Sequence, residues 1–307
     1  MYKYWPQPSG RPPQKKQIQF LLDQFSSADI KKWNNIKDLF LKFHWDFYSS
    51  LAFQRSRIAD EIKKSLLEAS HKSYTFTRWQ RVVRFKHSVE PLSLTGSLAD
   101  PGGRFNIGDI NPAQFPPFPA LYIATDKETA LQEALCQKID SKNLSNALNF
   151  ALADPTSVTN VSVSGRLDTI IDLNQPVKLQ PFVDLLKNFT IPNHLFEIAR
   201  ILNFKDKPEV IKTVPKLIDG LLAPNWREWP MQFDVPVASQ IFGQLVKDAG
   251  IEGVLYPSKF SNKNCLVIFP QNFDDASNSL IQLDDVPPKE TKILKWDFNS
   301  WRENQKA

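Results

Sequence analysis

The sequence predicts a protein of mixed helices and strands, and three observations carry that prediction. Trp33, Ile36, Phe40, Phe43 and Phe47 recur at three- and four-residue spacing, the stripe of an amphipathic helix. From Tyr74 onward, short runs of β-branched and aromatic residues read as strands. Helical patterns then return after and between those runs, as in 181–222 and 239–249. At 307 residues, with 42% hydrophobic and 12% aromatic content, the chain suffices for one large domain or two smaller ones with a real core.

Taken in order, residues 1–13 are polar and proline-bearing and read as an extended tail. Ser27 or Asp29 stands where the first helix needs a cap. A further helix from about Leu51 to Ala69 sets Ile58, Ile62 and Leu66 on one face. Residues 14–72 thus read as two or three helices, packed as a small unit or laid against the next domain. Residues 74–86, YTFTRWQRVVRFK, read as a strand holding Arg81 and Arg84. Two arginines there fit either an edge strand facing solvent or a fork aimed at phosphates.

The chain has ten glycines, and Gly96, Gly102, Gly103 and Gly108 fall close together around Arg104. Such clustering implies positive φ or close backbone approach. A strand from Ala120 to Ala124 carries Tyr122. Thr125 and Glu128 then form a capping-box pattern for a helix to about Lys138, with Glu133 in its second turn. Residues 140–165 are polar and largely without period, but 158–174 alternate like two strands around a turn at Ser164–Gly165. Two or three helices are expected in 181–222, and an irregular segment with two tryptophans in 224–236. Ser239 is placed to cap a helix with apolar Ile241, Phe242, Leu245 and Val246, which Gly250 ends. Strands are expected at Gly253–Tyr256 and Cys265–Phe269, with Ser258 after Pro257 between them. Ser258 reads as a turn residue or a ligand-binding one. The last stretch, 274–307, is charged and polar with a strand-like TKILKWDF, and no internal repeat is present.

Several function classes are excluded. GGRFNIG neither follows a strand nor opens a helix, so it is not a dinucleotide fingerprint, and neither a Walker A sequence nor a G-x-S-x-G elbow occurs. His44, His71, His87 and His194 are scattered without metal-ligand spacing, and Cys136 and Cys265 form no CxxC pair, so no metal is expected. The cysteines read as small core residues of a reduced, cytoplasmic protein. No run of eighteen apolar residues exists and MYKYWPQPSGRPPQKK lacks an apolar h-region, so neither membrane nor signal segment is expected. The net charge is +5, and residues 1–75 hold 13 Lys/Arg against 7 Asp/Glu. The lysines alternate with acids, which fits a solvated helical face rather than a nucleic-acid surface.

The blocks RWQRVVRF, GGRFN, ALYIATDKETALQEAL, LDTIIDL and GVLYPSKFSNKNCLVIFP resemble, in that order, those of the RES family, named for an arginine, a glutamate and a serine. The resemblance covers about residues 76–273, leaving 1–75 as a basic helical N-terminal region and 274–307 as a C-terminal extension. Phe105 stands where the family usually has tryptophan, and the loop from Gly108 to Leu121 and the region 175–236 are longer than in compact family toxins. What the resemblance implies is an α+β core of mixed sheet with flanking helices, related to ADP-ribosylating toxins. It further implies NAD+ as substrate, cleaved at the nicotinamide–ribose bond by a glycohydrolase or phosphorylase. Glu133 and Ser258 take the places of the family glutamate and serine. The family arginine is Arg81 or Arg84; Arg81 is preferred because it follows Trp79–Gln80 as a strand opener. Arg81, Glu133 and Ser258 are then the catalytic set, with Arg84, Gly103, Arg104, Tyr122 and Asn264 binding the cofactor. The implied partner is an inhibitory helix-turn-helix antitoxin. Two other readings remain open: transfer of ADP-ribose to a protein or nucleic acid, and a non-catalytic module that binds through the basic N-terminal helices.

Overall fold

A computed structural model describes residues 27–135, 158–261, 263–275 and 278–305. The expected tail at 1–13 and the part of the glutamate helix after Leu135 lie outside these residues. The described residues divide into two compact units, one of residues 27–57 and 189–210, the other of the remaining described residues from 58 onward.

In the first unit, α1 (Ser27–Arg57) packs against α5 (Asn193–Ile201). The aromatic stripe of α1 supplies the core. Phe43 is buried with Leu195, Ile198, Ala199 and Leu202, and Ile36, Phe40 and Phe47 pack against them. Phe43 meets Phe204 edge-on at 4.9 Å between ring centres. The Gln54 side chain closes the unit, donating to Thr190 O and accepting from Thr190 N, both at 2.8 Å. Helix α1 is helical from the first described residue, so a cap at Ser27 is not seen and Asp29 lies within the helix; it runs unbroken through Leu51. The break falls at Ile58, and α2 (Ala59–Ala69) belongs to the second unit, where Ile62 and Leu66 are buried.

The second unit is built on a mixed sheet. Its strands are β1 (His71–Arg84), β4 (Leu121–Ala124), β5 (Val158–Asp172), β6 (Gly253–Pro257), β7 (Asn264–Ile268), β8 (Leu280–Leu283) and β9 (Lys295–Trp296). The order is β1-β4-β7-β6-β5-β8-β9, and β1 also pairs with β5, so the first five strands close into a ring. Among the described residues, β5 and β6 run parallel and the other pairings are antiparallel. The side chains of Leu121, Leu167, Ile170, Leu266, Ile268 and Ile281 fill its core with no exposure beyond 1%. Each such burial stabilises the fold by roughly 1.5–3 kcal/mol. A separate two-stranded piece, β2 (Gly102–Gly103) and β3 (Asn106–Ile107), forms the glycine loop. Residues 280–283 and 295–296, within the polar C-terminal stretch, join the sheet at its edge.

The flanking helices are α3 (Lys127–Leu135), α4 (Gln180–Leu186), α6 (Val214–Leu221), α7 (Glu228–Phe233), α8 (Ala238–Asp248) and α9 (Phe298–Asn304). Among the described residues, no helix is long and apolar enough to cross a membrane. The Ile241–Val246 helix starts from Val237, not Ser239, which is fully buried; Gln240 Oε1 accepts from Val237 N at 3.2 Å. Gly250, at φ +82°, ends it as expected. The segment 224–236 is not wholly irregular, because α7 lies within it.

One strand prediction is corrected. Residues 158–172 form the single strand β5 rather than two strands around Ser164–Gly165. Gly165 serves a close approach: a Cβ there would strike the Leu280 carbonyl and come within 2.7 Å of Phe76 Cζ. Opposite it, the register of β1 shifts between Phe76 and Trp79, and Ser164 Oγ accepts from Arg78 N at 2.9 Å. Local sequence reads Ser-Gly as a turn because both residues favour turns; here the crowding of β1 and β8 on β5 demands the glycine instead.

Candidate active site

Sheet register lays one row of side chains across four strands. Gln80 pairs with Ala124, Ala124 with Cys265, and Cys265 with Tyr256. All four line a single cavity of about 170 Å³, and Tyr122, two residues before Ala124, lies on the same face. Helix α3 packs over β1, β4 and β7 and brings Glu133 to this cavity. Gly103 and Arg104 of the glycine loop and Trp226 and Arg227 from the turn before α7 complete its walls.

Helix α3 is capped by Asp126, one residue later than the sequence pattern suggests. Asp126 Oδ1 accepts from Thr129 N at 2.9 Å, while Thr125 contributes its own N–H to Asn264 O. That start sets the phase of Glu133. Ser258, 6% exposed at the end of β6, donates to Glu133 Oε1 at 2.6 Å. Its Oγ in turn accepts from Phe260 N at 3.1 Å and Ser261 N at 3.3 Å. A hydroxyl has one proton, and with two N–H donors filling its lone pairs that proton points at the carboxylate. Ser258 therefore positions Glu133 and is not itself among the residues lining the cavity. Ser261 and Thr129 share a further hydrogen bond of 2.9 Å that ties this turn to α3.

The glycine loop is organised by Asn106, which is fully buried. Asn106 Oδ1 accepts from Tyr122 OH at 2.8 Å and from Gly103 N at 2.9 Å, and its amide donates to Ser97 O and Phe118 O. Phe105 N donates to the Tyr122 hydroxyl at 3.0 Å. Burial pushes the Tyr122 phenol well above its ordinary range, so it stays neutral and donating. A Cβ on Gly103 would run into that hydroxyl, so the backbone approach implied by the glycine cluster is made to Tyr122. From α8, Gln240 Nε2 donates to Pro101 O, Gly103 O and Asn106 O and clamps the loop. Phe105, fully buried, packs against Tyr256 at 4.9 Å between ring centres.

The three arginines singled out in the sequence have different surroundings. Arg81 is buried and donates to Pro91 O at 2.6 Å, Ser93 O at 2.9 Å and Tyr122 O at 3.1 Å. Desolvation lowers its pKa to about 10, which leaves it charged at neutral pH. It ties the connection after β1 to the tyrosine strand and does not line the cavity. Arg84 is exposed at the far end of β1 and does not line it either. Arg104 does, and its NH1 also donates to Leu221 O at 3.3 Å and Ala223 O at 2.8 Å. Asn264 begins β7 outside the lining. Cys265 is a free, buried cysteine whose thiol is pushed up by burial. No group of three His, Cys, Asp or Glu among the described residues is arranged to hold a metal.

The structure thus brings Gly103, Arg104, Tyr122 and Glu133 together, with Ser258 and Arg81 behind them. Sequence reasoning assigned no role to Asn106, Gln240, Trp226 or Arg227. Asn106 closes the quoted GGRFN block, and the tryptophan-bearing segment 224–236 stood out, so both carried a signal. Gln240 carried none, because its three acceptors lie far away along the chain.

The RES domain family model matches residues 78–297. No curated protein matches the chain. Among solved structures, it is similar to that of the M. tuberculosis MbcT–MbcA toxin–antitoxin complex, at 13% identity and a TM-score of 0.38, over 80% of this chain and 98% of that one.

Proposed function

Because the chain belongs to the RES domain family, we propose that it is an NAD-cleaving enzyme acting on the nicotinamide–ribose bond. The observation that supports this reading is a carboxylate, Glu133, at a cavity shared with an aromatic ring and arginines, and braced by Ser258. In the reaction, the C1′–N electron pair moves onto the pyridinium nitrogen and neutral nicotinamide leaves. The ribose becomes oxocarbenium-like, and the negative charge of Glu133 stabilises it. Water or inorganic phosphate then adds to C1′; water gives up a proton and yields ADP-ribose, phosphate yields its 1-phosphate. On this reading the Tyr122 ring, which lines the same cavity, stacks on the cationic nicotinamide ring. Asn106 and Phe105 N hold that ring in place through its hydroxyl. Arg81 acts on the site through the Tyr122 carbonyl, as a positioning residue. The partner that this reading implies is an antitoxin covering the mouth of the cavity.

The test is NAD consumption by the purified chain beside Glu133→Ala, with and without phosphate. Loss of NAD in wild type, reduced by roughly 10²–10³-fold in the variant, is expected. Phosphate dependence names the acceptor, and label from NAD appearing on macromolecules in a cell extract would assign transfer instead. No NAD loss in any of these conditions overturns the reading.

A further inference from the structure

We propose that Gln80 is the residue that recognises the carboxamide of the nicotinamide ring; this rests on the NAD reading of the same cavity. Side chains alternate along β1, so Trp79, Arg81 and Val83 are buried behind the strand while Gln80 and Val82 line the cavity. Gln80 stands opposite Ala124, which makes it the diagonal neighbour of Tyr122 on the same face. Such neighbours lie about 7–8 Å apart, within reach of a long side chain. A pyridinium ring stacked on Tyr122 therefore has Gln80 beside it, at the distance of a substituent carried outside the ring.

The chemistry of the lining narrows the choice. A carboxamide is neutral and offers both N–H donors and a carbonyl acceptor, so its best partner does the same. Glu133, Arg104 and Arg227 are ionic, and Trp226 has only an N–H to give. The Tyr122 hydroxyl is committed to Asn106 Oδ1 and Phe105 N, and the side chains of Tyr256 and Cys265 bond each other. Gln80 carries donor and acceptor together. Its Oε1 accepts from Asn160 Nδ2 of β5 at 2.6 Å, and its Nε2 donates to Arg78 O at 2.9 Å. These bonds hold the group at the cavity wall and use one of its two lone pairs and one of its two protons. Among the described residues the second lone pair and the second proton have no partner, which is the complement of another amide. Gln80 is half-buried, so leaving that donor and acceptor unpaired costs stability, and an amide ligand offsets the cost.

The test compares kcat/KM for NAD with that for its acetylpyridine and thionicotinamide analogues, in the full chain and in Gln80→Ala, Gln80→Met and Asn160→Ala. The acetyl group has a carbonyl but no N–H, whereas the thioamide keeps its N–H donors. Wild type is expected to favour NAD over the acetylpyridine analogue by about tenfold or more, and to treat the thioamide nearly as NAD. Both Gln80 variants are expected to bring the ratio of NAD to acetylpyridine analogue close to unity. Asn160→Ala, which removes the brace and keeps the glutamine, is expected to give a ratio in between. A purely structural role would lower both substrates together and leave the ratio unchanged. Gln80→Met keeps the bulk of the side chain, so it reads the ratio even if the alanine variant folds poorly. Binding of free nicotinamide and free acetylpyridine to the same proteins, followed by ligand-observed NMR, reads the preference without turnover. A wild-type ratio near unity, or a ratio that survives both Gln80 variants, overturns the proposal, as does absence of both cleavage and base binding by wild type. Gln80-dependent preference for nicotinamide without NAD cleavage would sustain the inference and sink the catalytic reading; cleavage with a Gln80-independent ratio would do the reverse.

Discussion

Ser258 Oγ receives two backbone N–H groups and gives its proton to Glu133 Oε1, so its contribution is to aim a carboxylate. Ser258→Ala is expected to lower kcat for NAD about tenfold or more while KM changes little. A steady-state split with the loss in KM instead would mean that the serine contacts substrate. Arg81 differs in kind. Its guanidinium satisfies the carbonyls of Pro91, Ser93 and Tyr122, and removing it leaves buried acceptors unpaired. Arg81→Met should cost roughly 3 kcal/mol of stability, read by urea denaturation, with KM for NAD near wild type in the folded fraction. An intact melting curve with a large rise in KM would restore the phosphate fork to Arg81. The glutamate, the serine and the tyrosine were legible in the sequence because each stands in a short block whose order carries meaning. Their hydrogen-bond roles were not, because partners such as Asn106 for Tyr122 and Glu133 for Ser258 are chosen by the fold.

At the scale of elements, β1 and β5 decide where the site can exist. Their long pairing closes the ring, and the register row from Gln80 through Ala124 and Cys265 to Tyr256 forms one side of the cavity. Gly165 is where β5 allows Phe76 and β8 to crowd it. Gly165→Val is therefore expected to destabilise the protein by roughly 3 kcal/mol or more, through overpacking against backbone that has nowhere to go. Thermal melting checks this, and a shift below about 1 °C would mean that β8 yields easily. Strand and helix identities came through in the sequence because period and composition are local. The reading of Ser164–Gly165 as a turn failed because the need for glycine comes from strands distant in sequence. The cap of α3 shifted by a single residue, since Asp126 and Thr125 are both competent caps and the strand claims the N–H of Thr125 for Asn264 O.

For the whole molecule, the division into two compact units gives each its own core. In the first unit, burial lowers the pKa of His44 from 6.5 to about 4. The unfolded chain then binds a proton between those values that the folded unit refuses, so stability falls as pH drops from about 6.5 to 4. The loss amounts to roughly 3 kcal/mol by pH 4, and His44→Phe should remove that part of the acid limb. Denaturant titrations of both proteins at pH 7 and pH 4.5 check it; parallel losses would show that His44 does not carry the effect. By itself, the sequence determined the element types, the aromatic stripe that fills the first unit, and the glutamate, tyrosine, glycine-loop arginine and serine blocks of the second. Those come from spacing within a helix, alternation within a strand and short motifs, all set by neighbours along the chain. Only the tertiary structure decided that 189–210 returns to the first unit, that the sheet closes through β1 and β5, that Arg81 is enclosed, and that Trp226 and Arg227 reach the cavity. These depend on burial and on hydrogen-bond partners far apart along the chain, which become neighbours only when the core has formed.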